Sequence, residues 1–191
     1  MGNSDILNFI EDKNITVNKN WYLHATKNDI EIIKKILEEG IKSAYLRNQK
    51  GNHFNGKYYI SLYKNTKNSE GLNSYLRNNP KFIIDDISPF QADRKKYNFR
   101  HIFINTRIPL RMSEWNGEFQ QYLKIEPSKI VALEYSLSHI LSNSDSSNIE
   151  EKLLFLKNIV LCMEQVNRNL PIYDLLSNRE INKTKILSLN L

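Results

Sequence analysis

The sequence predicts an α+β domain. Between Trp21 and Tyr135, short segments rich in aromatic and β-branched residues recur, and such segments typically form strands. Short helical patterns separate them, and one long periodic helix follows at Asn148–Arg168. Short strands that are followed by helices indicate a sheet with helices packed on it rather than an alternating parallel α/β fold.

Composition supports one folded domain. The chain has 191 residues, of which 40% are hydrophobic and 10% aromatic, and this is enough for a sizeable core. A formal net charge of +6 permits a nucleic acid, a phosphorylated ligand or an acidic partner, although evenly spread lysines are also typical of a solvated surface. The single cysteine, Cys162, excludes an internal disulfide, and its apolar helical surroundings predict a small buried thiol.

The N-terminal residues do not resemble a secretory signal. Met1–Asn20 carries acidic residues early and lacks a continuous apolar core. No later run approaches the roughly 18 apolar residues of a membrane span. We therefore expect a cytoplasmic protein without a membrane span; delivery into another cell by a dedicated secretion machine would leave no mark in these residues.

The first half of the chain centres on a strand–helix–strand unit at Trp21–Lys64. It is preceded by a short predicted helix at Ser4–Asp12, so that residues 1–20 form a helical lead-in. Within the unit, a strand ends on His24-Ala25-Thr26, and apolar residues at helical spacing predict a helix at Asp29–Glu39. Gly40 stands where a helix commonly needs a left-handed terminal residue, and an aromatic strand passes through Tyr58–Tyr63.

The remaining segments alternate between short strands and connections. The predicted strands are Phe82–Ile84, Phe99–Asn105, Glu118–Ile125 and Ile130–Tyr135. The predicted connections and helices are a short helix within Asn65–Asn79 that ends before Pro80, a loop at Ile87–Lys96, an irregular stretch at Ile108–Trp115, and a surface connection at Ser136–Ser147. We expect a core over residues 21–135 and a C-terminal helical extension over residues 136–191.

His24 is the first candidate functional residue. It closes an aromatic strand and precedes two small residues, so its imidazole can face a cleft; a hydrogen-bonded core histidine is the structural alternative. The other histidines, His53, His101 and His139, show no metal-ligand spacing, and we expect no metal site.

Aromatic residues and one glutamate complete the candidate set. Tyr59, Ser61 and Tyr63 share one face of a strand, where rings could stack on a flat heterocycle, or could simply cover the core. Glu118 follows the Gly117 turn at the entry to a strand. A glutamate in this position is commonly just solvent-exposed.

Taken together, these features resemble the mono-ADP-ribosyltransferase superfamily of diphtheria-toxin and poly(ADP-ribose)-polymerase type. Family members have a strand that ends in H-G-T or H-G-S, a helix and a G-I or G-L, and these are similar to His24-Ala25-Thr26 and Gly40-Ile41. The family's G-x-Y-F-S/A element resembles Lys57-Tyr58-Tyr59-Ile60-Ser61 after Gly56, and its late glutamate resembles Glu118. The resemblance covers Trp21 to Tyr135 and implies split antiparallel β-sheets around an NAD cleft, with a C-terminal helix outside.

The resemblance also implies a role for each matching residue. Glu118 would stabilise the cationic sugar, and His24 would bind the adenosine-side ribose. Ala25 backbone groups would take the nicotinamide carboxamide, beside Thr26. Tyr59 would stack on the nicotinamide with a second tyrosine, either Tyr75 or Tyr63, and Ser61 would support Glu118. Lys27 and Arg47 are candidates for the pyrophosphate.

Three residues depart from the family pattern. Ala25 replaces the usual glycine, and the interval from Tyr59 to Tyr75 is longer than the usual one, which makes Tyr63 a rival. Asn116 stands two residues before Glu118, where arginine-modifying members carry glutamine or glutamate.

The leading functional hypothesis is an NAD-dependent ADP-ribosyltransferase that acts on a macromolecule, such as a toxin or effector, with NAD as substrate and a protein or nucleic acid as acceptor. One alternative is a nucleic-acid-directed member of the same fold, either a DNA-base modifier or an RNA 2′-phosphotransferase. A non-catalytic binding domain is the other. Any enzymatic function requires His24, Tyr59 and Glu118 to converge on one cleft.

Overall fold

A computed structural model describes residues 9–49, 58–64, 79–91, 118–143 and 146–191. Three predicted elements lie outside these residues: the helix within Asn65–Asn79 that carries Tyr75, the strand Phe99–Asn105 and the irregular stretch Ile108–Trp115.

The described residues form eleven strands and four α-helices. The strands are β1 Ile10–Asn14, β2 Tyr22–Ala25, β3 Ile41–Lys42, β4 Tyr59–Lys64, β5 Lys81–Ile84, β6 Phe90–Gln91, β7 Glu118–Tyr122, β8 Lys124–Ile125, β9 Ile130–Glu134, β10 Ile172–Asp174 and β11 Arg179–Ile181. The helices are α1 Ile30–Glu39, α2 Leu137–Asn143, α3 Ser146–Gln165 and α4 Lys183–Leu187, and a 3₁₀ turn covers Pro127–Lys129.

The strands confirm the α+β class. Nine of them form one sheet in the order β1-β11-β10-β9-β5-β2-β4-β7-β6, and β3 pairs with β8 in a separate two-stranded ribbon. The sheet is mixed, because β10 runs parallel to β9 while the other pairs are antiparallel. It therefore differs from the expected pair of split antiparallel sheets, although the β2–β4 ladder within it is short.

One face of the central strands forms the main core. Leu62 of β4, Phe82 of β5 and Leu133 of β9 are buried there, together with Ile33 and Leu37 of α1. Helix α1 packs against the longer helix α3, which supplies further buried apolar residues such as Leu156 and Ile159. A second, smaller cluster on the other face contains Leu23, Ile83 and Ala132, with the Trp21 ring stacked on Tyr173 at 5.8 Å.

Several predicted elements are confirmed. Strands β2, β4, β5 and β9 and helices α1 and α3 lie where periodicity placed them. The predicted strand Glu118–Ile125 is interrupted at Leu123, whose φ of 56° separates β7 from β8. Cys162 is buried in α3, as its apolar surroundings predicted.

The predicted helical lead-in is wrong over its described part. Ile10–Asn14 is a strand that pairs antiparallel with β11, with Ile10 opposite Ile181. The expected C-terminal extension is likewise not purely helical, because β10 and β11 continue the main sheet from β9. The two ends of the chain thus complete one edge of the sheet, a long-range pairing that local sequence patterns cannot show.

The predicted surface connection after β9 is also wrong. Leu137–Asn143 is a helix, and Ser136, Leu137 and Ile140 are buried. The Ser138 N–H donates to the carboxylate of the buried Asp174 at 2.7 Å, so a side chain from β10 caps the first turn of α2. The capping carboxylate comes from β10, so a window of neighbouring residues does not contain it.

A buried ion pair ties β5 to β9. The Lys81 ammonium group contacts the Glu134 carboxylate, and the Ser136 hydroxyl donates to the same carboxylate at 2.6 Å. Burial raises the pKa of Glu134, an effect that the nearby Lys81 and the Ser136 hydrogen bond oppose. Lys81 stands directly opposite Ala25 in the β2–β5 ladder. The ion pair therefore stabilises β5 at the position where it pairs with the end of β2.

None of the described helices is both long enough and apolar enough to cross a lipid bilayer.

Candidate functional site

The three strands that carry the sequence motifs are neighbours in the sheet. β4 lies between β2, which carries His24, and β7, which begins with Glu118. In the β4–β7 ladder, Tyr63 is opposite Glu118 and Ser61 is opposite Gln120. Glu118 is thus two positions along this ladder from the Ser61–Gln120 pair.

The sheet opens between β2 and β4. Their ladder joins Tyr22 to Lys64 and Leu23 to Tyr63, and among the described residues it extends no further toward Ala25. On the other side, β2 stays paired with β5 as far as Ala25, and the Thr26 N–H donates to the Pro80 carbonyl at 3.0 Å. Among the described residues, the C-terminal end of β2 is thus paired with β5 but not with β4.

The direction of the main-chain groups follows from this pairing. Backbone groups of successive strand residues point to alternate sides, and Thr26 uses the β5 side. The N–H and C=O of Ala25 therefore point toward β4, into the gap. One peptide donor and one peptide acceptor are presented together where the ladder has ended.

The His24 imidazole bridges the gap. Its Nδ1 lies 2.9 Å from the Ser61 carbonyl oxygen. Because a carbonyl can only accept, the ring proton resides on Nδ1, and Nε2 keeps a lone pair that can accept a hydrogen bond. The histidine is half-buried rather than a closed core residue.

Burial lowers the pKa of His24, and the Arg47 charge adds to this effect, while the hydrogen bond to Ser61 opposes it. The folded protein thus holds a neutral imidazole below pH 6.5, where the unfolded chain already binds a proton. The contribution of the neutral His24 to the free energy of unfolding is fully present above pH 6.5. It is lost as the pH falls through the lowered pKa.

We expect wild-type protein to lose stability between pH 7 and pH 5 more steeply than His24→Gln, in which the amide preserves a donor to Ser61 but cannot titrate. Urea unfolding at both pH values measures this difference, and comparing the two proteins cancels the titration of all other groups. Parallel loss in both proteins would mean that His24 titrates normally.

A cleft of about 600 Å³ opens at this point. His24 and Thr26 line it from β2, and Tyr59 and Ser61 line it from β4. Alternation places His24 and Tyr59 on opposite faces of the sheet, although both residues line the cleft. Of the three residues that an enzymatic function requires, His24 and Tyr59 line one cleft, whereas Glu118 is not among the described residues that line it.

Helix α1 and the turn after it form the opposite wall. Ile32 and Ile36 of α1 give this wall an apolar surface. Of the two cations left open for a pyrophosphate, Arg47 lines the cleft, whereas Lys27 is not among the described lining residues. Arg47 is also near enough to His24 to affect its pKa.

Two tyrosine ring pairs lie near the start of β4. The Tyr59 and Tyr122 rings lie 5.6 Å apart on one side of the sheet, and the Tyr45 and Tyr58 rings lie 4.9 Å apart on the other. Tyr45, Tyr58 and Tyr122 are all exposed, whereas Ile60 and Leu62 of β4 belong to the core. Ile60 and Leu62 are therefore the buried row of β4, whereas Tyr59, Ser61 and Tyr63 are only partly buried, as the alternation predicted.

The remaining predicted site residues are less completely placed. Of Glu118 only the strand position is described, and Tyr75 lies outside the described residues. Tyr63 is opposite Glu118 but is not among the described residues that line the cleft. Ala25 is not among the described residues that line the cleft, although the alternation of β2 directs its main-chain groups toward β4.

Sequence reasoning missed two lining residues. Ser43 is buried in the cleft wall, with a hydroxyl that has no hydrogen-bond partner in the described part of the structure. Lys35 of α1 lines the same wall, but it was indistinguishable from other surface lysines in the sequence. Neither residue stands in a motif, so nothing in the local sequence would have identified them.

Comparison of the chain with protein-family models, with curated proteins and with solved structures finds no significant match.

Proposed function

We propose that this protein is an NAD-dependent ADP-ribosyltransferase that cleaves the nicotinamide–ribose bond and transfers ADP-ribose to a macromolecule. One observation carries the proposal. At the end of β2, the His24 imidazole lies against the Ser61 carbonyl where the β2–β4 ladder has ended, and His24 lines one cleft together with Tyr59. On this proposal, the opening between β2 and β4 is the NAD cleft of an ADP-ribosyltransferase-type fold.

The nicotinamide half of NAD suits this opening. A carboxamide has one acceptor oxygen and a donor NH₂, and these match the N–H and C=O of Ala25. The Tyr59 ring would stack on the pyridinium ring, an interaction that the positive charge of the pyridinium strengthens. Tyr63 or Tyr75 would supply the second ring.

The adenosine half suits the other end of the cleft. Nε2 of His24 would accept a hydrogen bond from a ribose hydroxyl, because its lone pair is retained in the folded state. Arg47 and Lys35 would balance the pyrophosphate charge, and Ile32 and Ile36 offer an apolar surface to the base.

The chemistry assigned to Glu118 follows from the reaction. Loss of nicotinamide leaves an oxocarbenium-like sugar, as in glycoside cleavage. A carboxylate close to that sugar is worth more in the transition state than in the ground state, because positive charge develops there. Glu118 begins β7, the strand next to β4, where it stands opposite Tyr63.

The acceptor would approach the cleft mouth. The exposed Tyr45–Tyr58 ring pair and the net charge of +6 favour a nucleic-acid acceptor, since exposed rings beside cations bind unstacked bases. A nucleic-acid-directed member of the same fold is therefore the second candidate function.

Incubation with labelled NAD and a cell lysate tests the proposal. We expect label in macromolecules, and its sensitivity to nuclease or to protease identifies the acceptor. We expect His24→Ala to weaken NAD binding roughly 10-fold, the loss of about one hydrogen bond. His139→Ala, which changes a histidine in α2, serves as the matched control. Absence of any NAD binding or turnover by the wild-type protein would leave a non-catalytic binding domain as the better assignment.

A further inference from the structure

The β3–β8 ribbon places two lysines side by side at the protein surface. Lys42 of β3 is directly opposite Lys124 of β8, and both side chains are about one-third exposed. Directly opposite side chains lie on the same face of a ribbon, and like charges in this arrangement repel each other. The ribbon therefore presents a local concentration of positive charge.

Carboxylates beside the ribbon offset this charge only in part. Glu39 pairs with Lys42 at 2.6 Å. Glu126 pairs with Lys124 at 2.7 Å, and both glutamate side chains are more than half exposed. Lys42 lowers the pKa of Glu39, and the charges of Lys35 and Lys124 add to this effect. Exposed ion pairs of this kind contribute little stability, so a phosphate can take the place of either carboxylate.

Two exposed tyrosines stand at one end of the same ribbon. The Leu123 carbonyl accepts from the Ser43 N–H at 2.7 Å, and the Leu123 N–H donates to the Tyr58 carbonyl at 2.9 Å. These bonds hold the start of β4 against the ribbon, one step beyond the two lysines. The Tyr45 and Tyr58 rings lie 4.9 Å apart and are tilted by 39°, and the residues are 47% and 44% exposed. The pair thus offers ring surface to a ligand.

The turn after β3 carries a guanidinium next to this ring pair. The Arg47 N–H donates to the Ser43 carbonyl at 3.2 Å, and the Gln49 N–H donates to the Ala44 carbonyl at 2.9 Å, so the main chain of the turn is fixed. Arg47 is exposed, and no carboxylate of the described residues forms an ion pair with it. A planar guanidinium suits phosphate groups and the faces of aromatic rings.

We propose that this ribbon surface, made up of Lys42, Lys124, Arg47 and the Tyr45–Tyr58 ring pair, binds single-stranded nucleic acid. The three cations contact backbone phosphates, and unpaired bases stack on the rings, as is typical of proteins that bind single strands. Lys42 and Arg47 also line the cleft, so a bound strand lies beside it. The inference names the acceptor class of the proposed transferase and rests on that proposal for its role.

Titration of the NAD-free protein with a fluorescein-labelled oligothymidylate, followed by anisotropy at several salt concentrations, tests the surface. We expect tighter binding of the single strand than of its duplex with oligoadenylate, whose bases are already stacked on one another. Tyr45→Ala should weaken binding roughly 10-fold without changing its salt dependence, because the ring contributes stacking and no charge. Lys42→Ala combined with Lys124→Ala should reduce the slope of log K against log salt by about 1.4, since each lost phosphate contact removes about 0.7.

Tyr45→Phe and Lys185→Ala are the matched controls. The first keeps the ring and the second removes an exposed lysine of α4, so both should bind as wild type does. Melting temperatures of all variants should stay within about 4 °C of wild type, because the changed side chains are exposed. Polyglutamate should compete only weakly. Equal binding of polyglutamate and the oligonucleotide, insensitive to Tyr45→Ala, would assign the surface to an acidic protein and overturn the inference, as would no oligonucleotide binding by wild type.

The NAD-free titration also separates this inference from the proposed function. If the oligonucleotide binds in the expected pattern while the wild-type protein does not turn over NAD, the surface stands and the transferase assignment is wrong. If label from NAD is transferred to protein alone and the oligonucleotide does not bind, the transferase assignment stands and the surface is wrong.

Discussion

Glu118→Gln is expected to lower NAD turnover by roughly 10²–10³ while it preserves the fold and most of the NAD affinity. Glutamine has nearly the same size and can still hydrogen-bond a ribose hydroxyl, but it carries no charge. It therefore loses stabilisation only where positive charge develops, in the oxocarbenium-like transition state. Nicotinamide release under saturating NAD gives kcat, and titration calorimetry gives the affinity.

The control for this variant is Glu126→Gln. Glu126 is an exposed glutamate just after β8 and pairs with Lys124 at 2.7 Å, outside the described cleft lining. Its turnover should match that of wild type, because a surface ion pair of this kind contributes little. Equal turnover by wild type and Glu118→Gln would remove Glu118 from the mechanism and, with it, the main chemical argument for this enzyme class.

Gly40→Ala is expected to cause the largest loss of stability of the substitutions considered. Gly40 has φ 83° and ψ −179°, a conformation available almost only to glycine, rather than the left-handed helical ending expected from the sequence. An added Cβ would lie 2.1 Å from the Ile125 carbonyl oxygen and 3.1 Å from Pro127. Main-chain atoms cannot move aside as a flexible side chain could.

The strain and the clash together should cost roughly 3–5 kcal/mol, which corresponds to a decrease in melting temperature of about 10 °C. Since Gly40 also lines the cleft, NAD binding should weaken in any variant that still folds. Thermal unfolding measures the first effect. Glu38→Ala, on the exposed side of the same helical turn, should change stability by less than about 0.5 kcal/mol. A similar stability for Gly40→Ala and wild type would show that β8 can move away from α1.

Local periodicity was sufficient to predict most of the strands and helices of the central fold. The alternation Tyr59, Ser61, Tyr63 against Ile60 and Leu62 predicted which face of β4 is buried, because a strand places successive side chains on opposite faces. Helical spacing predicted α1 and α3 for the same kind of reason. These patterns are predictive because burial requires apolar side chains at the positions of a strand or helix that face the core.

Elements that depend on distant partners were not predictable. β1 is a strand because β11 pairs with it, and α2 begins where Asp174 of β10 supplies a cap. The buried Lys81–Glu134 pair could not be predicted either, since a single lysine or glutamate is typical of a solvent-exposed surface. In each case the stabilising group lies far away in sequence, so a window of neighbouring residues contains only half of the interaction.

For the site, the sequence by itself determined the candidate residues and their order along the chain: a histidine at a strand end, an aromatic strand and a glutamate after a glycine turn. Only the tertiary structure decided that β2, β4 and β7 are neighbours, and that the described β2–β4 ladder ends at Leu23, one residue before His24. Residue type sets what chemistry a side chain can perform. Whether a main-chain group or a hydroxyl remains available for a ligand depends on which other groups pair with it, and the folded chain alone determines that pairing.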